Sequence, residues 1–104
     1  KPSCVIGVGG YASGPLLFVA QILRIKTYIQ EQNSYAGVTN KLLSNRATKI
    51  FTAYQNMETF FPSSKTHYVG NPVRKDILDV ALLRLPGLTY FKLDPNKKTI
   101  LVIG

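Results

Sequence analysis

Tryptophan is absent from this chain, and cysteine, methionine and histidine occur once each. A single cysteine, Cys4, excludes an intrachain disulfide and suits a reducing compartment. Its place in the apolar run Cys4-Val5-Ile6 predicts a buried, inert thiol rather than a nucleophile. The single histidine, His67, has no cysteine, second histidine or acidic residue at metal-ligand spacing, and no candidate nucleophile near it in sequence. It reads as a surface histidine, so neither a metal centre nor a Ser/His/Asp or Cys/His constellation is predicted. No apolar run approaches the ~20 residues needed to span a bilayer, and no signal-peptide pattern is present. Acidic residues are also scarce: five, against thirteen Lys and Arg, for a net charge of +8. That balance favours anionic partners such as a nucleotide, a pyrophosphate or an anionic membrane surface. The basic residues are scattered, with Arg74-Lys75 and Lys97-Lys98 the only adjacent pairs. Without an Arg-rich run or an RNA-binding aromatic motif, nucleic acid is not the expected partner.

What is present centres on Gly7-Val8-Gly9-Gly10-Tyr11-Ala12-Ser13-Gly14-Pro15. An apolar β-prone run precedes it and a helix-compatible run, Leu16 to Ala20, follows. Strand, glycine-rich turn and helix together aim free backbone N–H groups at one spot, which suits a phosphate-type anion. Glycine lets the backbone approach a ligand, and Pro15 fits the first helical turn. Ser13 can add a hydroxyl and Tyr11 can close over a sugar or pyrophosphate. The purely structural alternative is a turn that lets a helix pack closely on a sheet. The dinucleotide Gly-x-Gly-x-x-Gly fingerprint is not met, because Ala12 stands at its last glycine.

Along the chain, strands are predicted at Ser3–Gly7, Thr27–Glu31, Thr48–Ala53, Thr66–Val69 and Thr99–Ile103. The first and last are apolar throughout and read as buried, the first as a central strand of a parallel sheet. Helices are predicted from Pro15 to about Leu23, from Val38 to near Arg46, briefly around Met57 to Phe61 before Pro62, and from Asp76 to Leu83. Val38, Leu42 and Leu43 define the inward face of the second, with Thr39, Asn40, Lys41 and Ser44 turned away. Ile77, Leu78, Ala81 and Leu82 define the inward face of the last, which Pro86-Gly87 should break. The helix after Pro15 is apolar on nearly every side. It reads as packed between the sheet and neighbouring elements, or as an apolar face with Arg24 and Lys26 at its end that meets a membrane surface. Alternating strands and helices make this an α/β chain with a parallel sheet. The Gly70-Asn71-Pro72 turn suits a passage between domains. The start at Lys1 without Met, and the closing run Leu101-Val102-Ile103-Gly104, suggest a piece of a longer protein.

Parallel neighbouring strands bring the loop after Glu31 to the same sheet edge as the Gly7–Pro15 turn. Glu31, Gln32 and Asn33 there can fix sugar hydroxyls, with Glu31 a candidate general base, or can simply cap the strand. Arg74, beside the rigid Asn71-Pro72 turn, can hold a diphosphate or a base, or be a solvated surface residue.

Four linked stretches carry a resemblance. Gly7-x-Gly-Gly-Tyr-x-Ser-Gly-Pro15, Gln30-Glu31-Gln32-Asn33-Ser34, Ala36-Gly37-x-Thr39-Asn40 and Gly70-Asn71-Pro72-Val73-Arg74, in this order and spacing, resemble the MurG family of bacterial glycosyltransferases. The resemblance covers essentially the whole chain and about a third of a typical member. It implies a GT-B fold, two Rossmann-like domains facing across a cleft. Residues 1–72 would be the C-terminal half of the N-terminal, acceptor-side domain. Residues 73–104 would be the interdomain connection and the first strand of the C-terminal, donor-side domain. It implies inverting transfer of N-acetylglucosamine from UDP-N-acetylglucosamine to lipid I, giving lipid II in peptidoglycan synthesis. The implied location is the cytoplasmic face of the bacterial inner membrane, as a peripheral protein, with no cofactor and no metal. Gly7, Gly9, Gly10, Tyr11, Ser13 and Gly14 fall on the loop facing the acceptor diphosphate. Asn33 and Arg74 fall at donor-binding positions, Glu31 in the motif near the acceptor, and Thr39 and Asn40 in the cleft. Gln30 stands where many members carry histidine. The family's first glycine-rich loop, with its candidate base histidine, would lie before Lys1, and the second domain's Gly-Ser-x-Gly-Ala loop after Gly104. The 104 residues alone are therefore predicted to be inactive. The alternatives are a GT-B enzyme with a different acceptor, and a non-catalytic basic α/β module binding nucleic acid or a protein partner.

Overall fold

A computed structural model describes residues 2–75 and 80–102, which fall into two compact units, Lys1–Asn71 and Pro72–Gly104. In the first unit the strands are β1 (Cys4–Gly7), β2 (Lys26–Glu31), β3 (Lys49–Thr52) and β4 (Thr66–Tyr68). They form one all-parallel sheet in the order β1-β2-β3-β4. Helix α1 (Ser13–Ile22) crosses from β1 to β2 and α2 (Val38–Ser44) from β2 to β3. Two short 3-10 turns, Met57–Thr59 and Ser63–Lys65, lead from β3 to β4.

β2 and β3 alternate strictly. Thr27, Ile29 and Glu31 of β2 are buried, whereas Lys26 is exposed and Tyr28 and Gln30 are half-buried. Ile50 and Thr52 of β3 are buried and Lys49 is exposed. The buried face carries the core, where Leu17 of α1 meets Ile29, Ile50, Ala36, Ala47, Met57 and Phe61. The opposite face carries a row of rings, Tyr28 stacked near Phe51 and Phe51 near His67, with centroids 6.3 and 6.1 Å apart. His67 is exposed, as its isolation in sequence predicts.

The first strand departs from expectation. Among the described residues β1 lies at the edge of the sheet, Cys4 is exposed and Ile6 is 63% exposed. An apolar run suggested burial on both faces. Among the described residues only the face under α1 is covered, and Cys4 and Ile6 point to the other.

α1 also departs. Only Leu17 and Ala20 are buried, while Leu16, Phe18, Val19, Ile22 and Leu23 are at least half exposed. No helix among the described residues is long and apolar enough to cross a membrane. α2 keeps only part of its predicted facing: Leu43 packs against the core as expected, but Asn40 and Ser44 are buried and Val38 and Leu42 exposed. A buried hydrogen bond from Asn40, described below, pulls the polar side inward and outweighs the apolar spacing.

In the second unit a helix, α3 (Val80–Tyr90), runs through Pro86. The predicted break at Pro86-Gly87 is not observed. Proline removes one N–H and costs a helix interior ~3 kcal/mol, but bonds beyond it continue the helix. The Phe91 N–H donates to the Gly87 carbonyl at 3.0 Å, and the Thr89 hydroxyl to the Leu85 carbonyl at 3.1 Å. The predicted helix start at Asp76 and its face at Ile77 and Leu78 lie outside the described residues. Thr99 to Val102 form no strand, and Ile100, Leu101 and Val102 are 78–89% exposed, not buried. A strand forms only against a partner backbone, and the described residues supply none for this run. Ile103 lies outside the described residues.

Candidate active site

The site forms where the loops after β1 and β2 leave the same edge of the sheet. After β1 the chain turns through Gly9 and Gly10, at φ 94° and 75°. Nothing lies within 4 Å of a Cβ at either position, so the left-handed backbone and not crowding demands glycine. Gly7 is small for a different reason, since a Cβ there would collide with the Leu17 side chain of α1. A Cβ on Gly14 would stand 3.0 Å from Thr39 Cγ2, so Gly14 sets the approach of α1 to the start of α2. The Ser13 hydroxyl donates to the Gly10 carbonyl at 3.0 Å, and the Gly14 N–H to the Tyr11 carbonyl at 3.1 Å. Both donors are spent holding the turn. Tyr11 is 90% exposed.

Glu31, the last residue of β2, is buried and organises the second loop. Its Oε1 accepts from the Asn33 backbone N–H at 3.1 Å and from Asn33 Nδ2 at 3.2 Å. Its Oε2 accepts from the Gly37 N–H and from Asn40 Nδ2, both at 2.9 Å. Gly37 is the residue that caps α2. One carboxylate therefore ties the strand end, the loop and the first turn of the helix, and its charge sits at the favourable end of the helix dipole. Burial pushes the Glu31 carboxyl up, but the bonds from Gly37, Asn40 and Asn33 outweigh it and hold the group below the ordinary carboxylate value. The loop is pinned further on. The Tyr35 ring meets Phe60 edge-on at 4.9 Å, and Lys41 Nζ lies 4.8 Å from the Tyr35 ring centre. Asn71 Nδ2 donates to the Gln32 carbonyl at 3.2 Å.

Between the loops lies a cavity of about 220 Å³. Val8, Gly9, Gly10 and Tyr11 line one side, Glu31, Gln32 and Asn33 another, and Gly37, Val38, Thr39 and Asn40 the third. Of the predicted site residues, Gly9, Gly10, Tyr11, Glu31 and Asn33 are thus brought together, with Thr39 and Asn40 beside them. Gly7, Ser13 and Gly14 shape the turn but do not line the cavity. Arg74 is exposed and belongs to the second unit. Sequence reasoning gave no site role to Val8, Gly37 or Val38, although Gly37 falls in one of the four resembling stretches. The usable signal was a glycine just ahead of a helical pattern, a capping position whose N–H is free for a ligand or a carboxylate.

Residues 1–52, half of the chain, match the sequence pattern of the glycosyltransferase family 28 N-terminal domain. The chain belongs to glycosyltransferase family 28. A Flavobacterium psychrophilum protein named UDP-N-acetylglucosamine–N-acetylmuramyl-(pentapeptide) pyrophosphoryl-undecaprenol N-acetylglucosamine transferase is 60% identical over all 104 residues. A Parabacteroides distasonis protein of the same name is 54% identical over the same span. The family 28 chain covers about 28% of the length of each of these relatives. The crystal structure of Acinetobacter baumannii MurG resembles it with a TM-score of 0.59 at 39% identity, over 70% of this chain and 21% of that one. The four-stranded parallel sheet with its crossover helices is thus part of a Rossmann-like sheet of GT-B type.

Proposed function

We propose that the full-length protein carrying this chain is an inverting N-acetylglucosaminyltransferase of peptidoglycan synthesis. It moves N-acetylglucosamine from UDP-N-acetylglucosamine to lipid I, the undecaprenyl-pyrophosphoryl N-acetylmuramyl-pentapeptide. The observation that carries this reading is 60% identity over the entire chain to a relative with that name. In the reaction, the C4 hydroxyl of the acceptor sugar attacks the anomeric carbon as the bond to UDP breaks. The hydroxyl proton passes to a base and UDP leaves with the bonding pair. Residues 1–72 belong to the acceptor-side domain and 73–104 to the connection and the start of the donor side, where Thr99–Ile103 would become a strand only beside a partner strand of the full-length protein. The acceptor diphosphate lies against the Gly9-Gly10 turn, scaffolded by Gly7, Ser13 and Gly14, with Tyr11 over it. Backbone N–H groups supply the positive field there. Asn33 and Arg74 bind the donor.

Glu31 acts as a positioning residue. With four N–H donors on its oxygens and a lowered pKa, it makes a poor proton acceptor and a good anchor for the loop. The exposed apolar face of α1, with Arg24 and Lys26 after it, rests on the anionic cytoplasmic surface of the inner membrane.

The test is transfer by the full-length protein, with lipid I and water-soluble sugar acceptors compared and UDP-N-acetylglucosamine labelled in the sugar. Label is expected in a lipid-linked disaccharide. Transfer only to a soluble acceptor would overturn the acceptor assignment, and salt-sensitive oligonucleotide binding with no transfer would favour a non-catalytic module.

A further inference from the structure

The polar cavity opens into an apolar groove. α1 and α2 lie side by side, and Pro15 and Phe18 of one face Leu42 and Leu43 of the other across a cleft of about 440 Å³. Tyr11 and Thr39 line both this cleft and the polar cavity, so the two meet at a shared rim. Phe18, Leu42 and Leu43 carry the cleft on toward Asn45 and Arg46 as a second hollow of about 310 Å³. The groove therefore runs down the helix pair, and α1 is 10 residues long, or about 15 Å. Its walls are apolar although they face solvent: Phe18 is 50% and Leu42 76% exposed. The cause is the facing of α2, in which Asn40 is drawn in to Glu31 while Leu42 is left outside. A short helix that buries Asn and Ser and exposes Leu sets apolar surface beside a polar site, where an amphiphilic ligand can use both.

We infer that this groove seats the first isoprene units of the polyprenyl chain of the acceptor, leading from the diphosphate at the Gly9-Gly10 turn past Tyr11 and Thr39. This rests on the acceptor reading above. A polyprenyl diphosphate is a charged head on an apolar chain, and the molecule offers a backbone anion turn and an apolar trough in that order. Gly14 and Thr39 line its upper end, where a Cβ on residue 14 would stand 3.0 Å from Thr39 Cγ2 and fill part of the passage.

The experiment uses the full-length enzyme in detergent micelles, without a bilayer. Two acceptors share the same sugar-diphosphate head, one on an undecaprenyl chain and one on a butyl chain. The readout is the ratio of kcat/KM for the long over the short acceptor, in the wild type, in Leu42→Gln and in Phe18→Ala. The wild type is expected to favour the long chain, and each variant to reduce the ratio by about tenfold, as loss of one apolar wall implies. Leu42 is exposed, so its replacement tests the groove without opening the core. A ratio that the variants leave unchanged would overturn the inference. So would an equal fall for both acceptors, which would mean altered packing. An unchanged micelle ratio with weakened vesicle binding would make the groove a bilayer contact and overturn it too. If the wild type transfers to neither acceptor, the proposed function itself is what fails.

Discussion

Replacing Glu31 by glutamine would set an amide NH2 among four N–H donors that now share one carboxylate. At least one donor pair would face another, and the buried loop would lose charge-assisted bonds worth about 2–3 kcal/mol together. Glu31→Gln in the full-length protein should therefore lower the midpoint of thermal unfolding and loosen the 32–40 segment in hydrogen exchange. The pH dependence has a definite sign. The folded-state pKa lies below the ordinary 4.5, so the stabilisation is whole above that pH and is lost as pH falls through the folded value. The wild type should lose stability below about pH 4.5 more steeply than Glu31→Gln. If instead the variant keeps wild-type stability and loses only turnover, Glu31 is a base and not an anchor. The position of Glu31 at a strand end was legible from sequence. Its bonds from Gly37 and Asn40 were not, because those residues lie six and nine positions away and meet it only once the loop has folded back.

At the scale of elements, periodicity located β1 to β4 and the helices, but not the strand expected at Thr99–Ile103, and oriented some elements wrongly. β2 alternates as written, since one face of a parallel strand packs on α1 whatever else surrounds it. α2 followed its apolar spacing only at Leu43, because in seven residues one buried Asn–Glu bond outweighs the preference of Val38 and Leu42 for burial. The turn at Gly9-Gly10 was readable because positive φ leaves a glycine signature, whereas α3 passes through Pro86, a breaker that local rules treat as terminal. α1 leads to a prediction of its own. Leu16, Val19, Ile22 and Leu23 form an exposed apolar strip more than a single helix needs, followed by exposed Arg24 and Lys26. The triple substitution Leu16→Ser, Val19→Ser, Ile22→Ser should reduce co-sedimentation of the full-length protein with vesicles rich in phosphatidylglycerol by about tenfold or more. Raised salt should weaken what remains through the basic pair. Vesicle binding equal to wild type would assign the strip to contacts within the longer protein.

For the whole molecule, the chemistry available in the cavity sets a limit. Glycosyl transfer to a hydroxyl needs a group to take the proton and positive charge or N–H donors at the departing diphosphate, converging within hydrogen-bond reach of the reacting atoms. The cavity is lined by neither histidine nor lysine nor arginine, and its one carboxylate is already bonded four times. Arg74 belongs to the other compact unit, and the chain spans about 28% of its relatives' length. The 104-residue chain, purified and given UDP-N-acetylglucosamine and a lipid I analogue, should therefore show no transfer above the uncatalysed background. It should still protect the 9–11 and 31–40 segments in hydrogen exchange when a polyprenyl diphosphate is added, because the anion turn, the Glu31-anchored loop and the groove are all its own. Transfer by the isolated chain would place a working base among these residues and sink the argument. Failure of both transfer and protection would mean that the acceptor surface, too, needs the rest of the protein to hold it in shape.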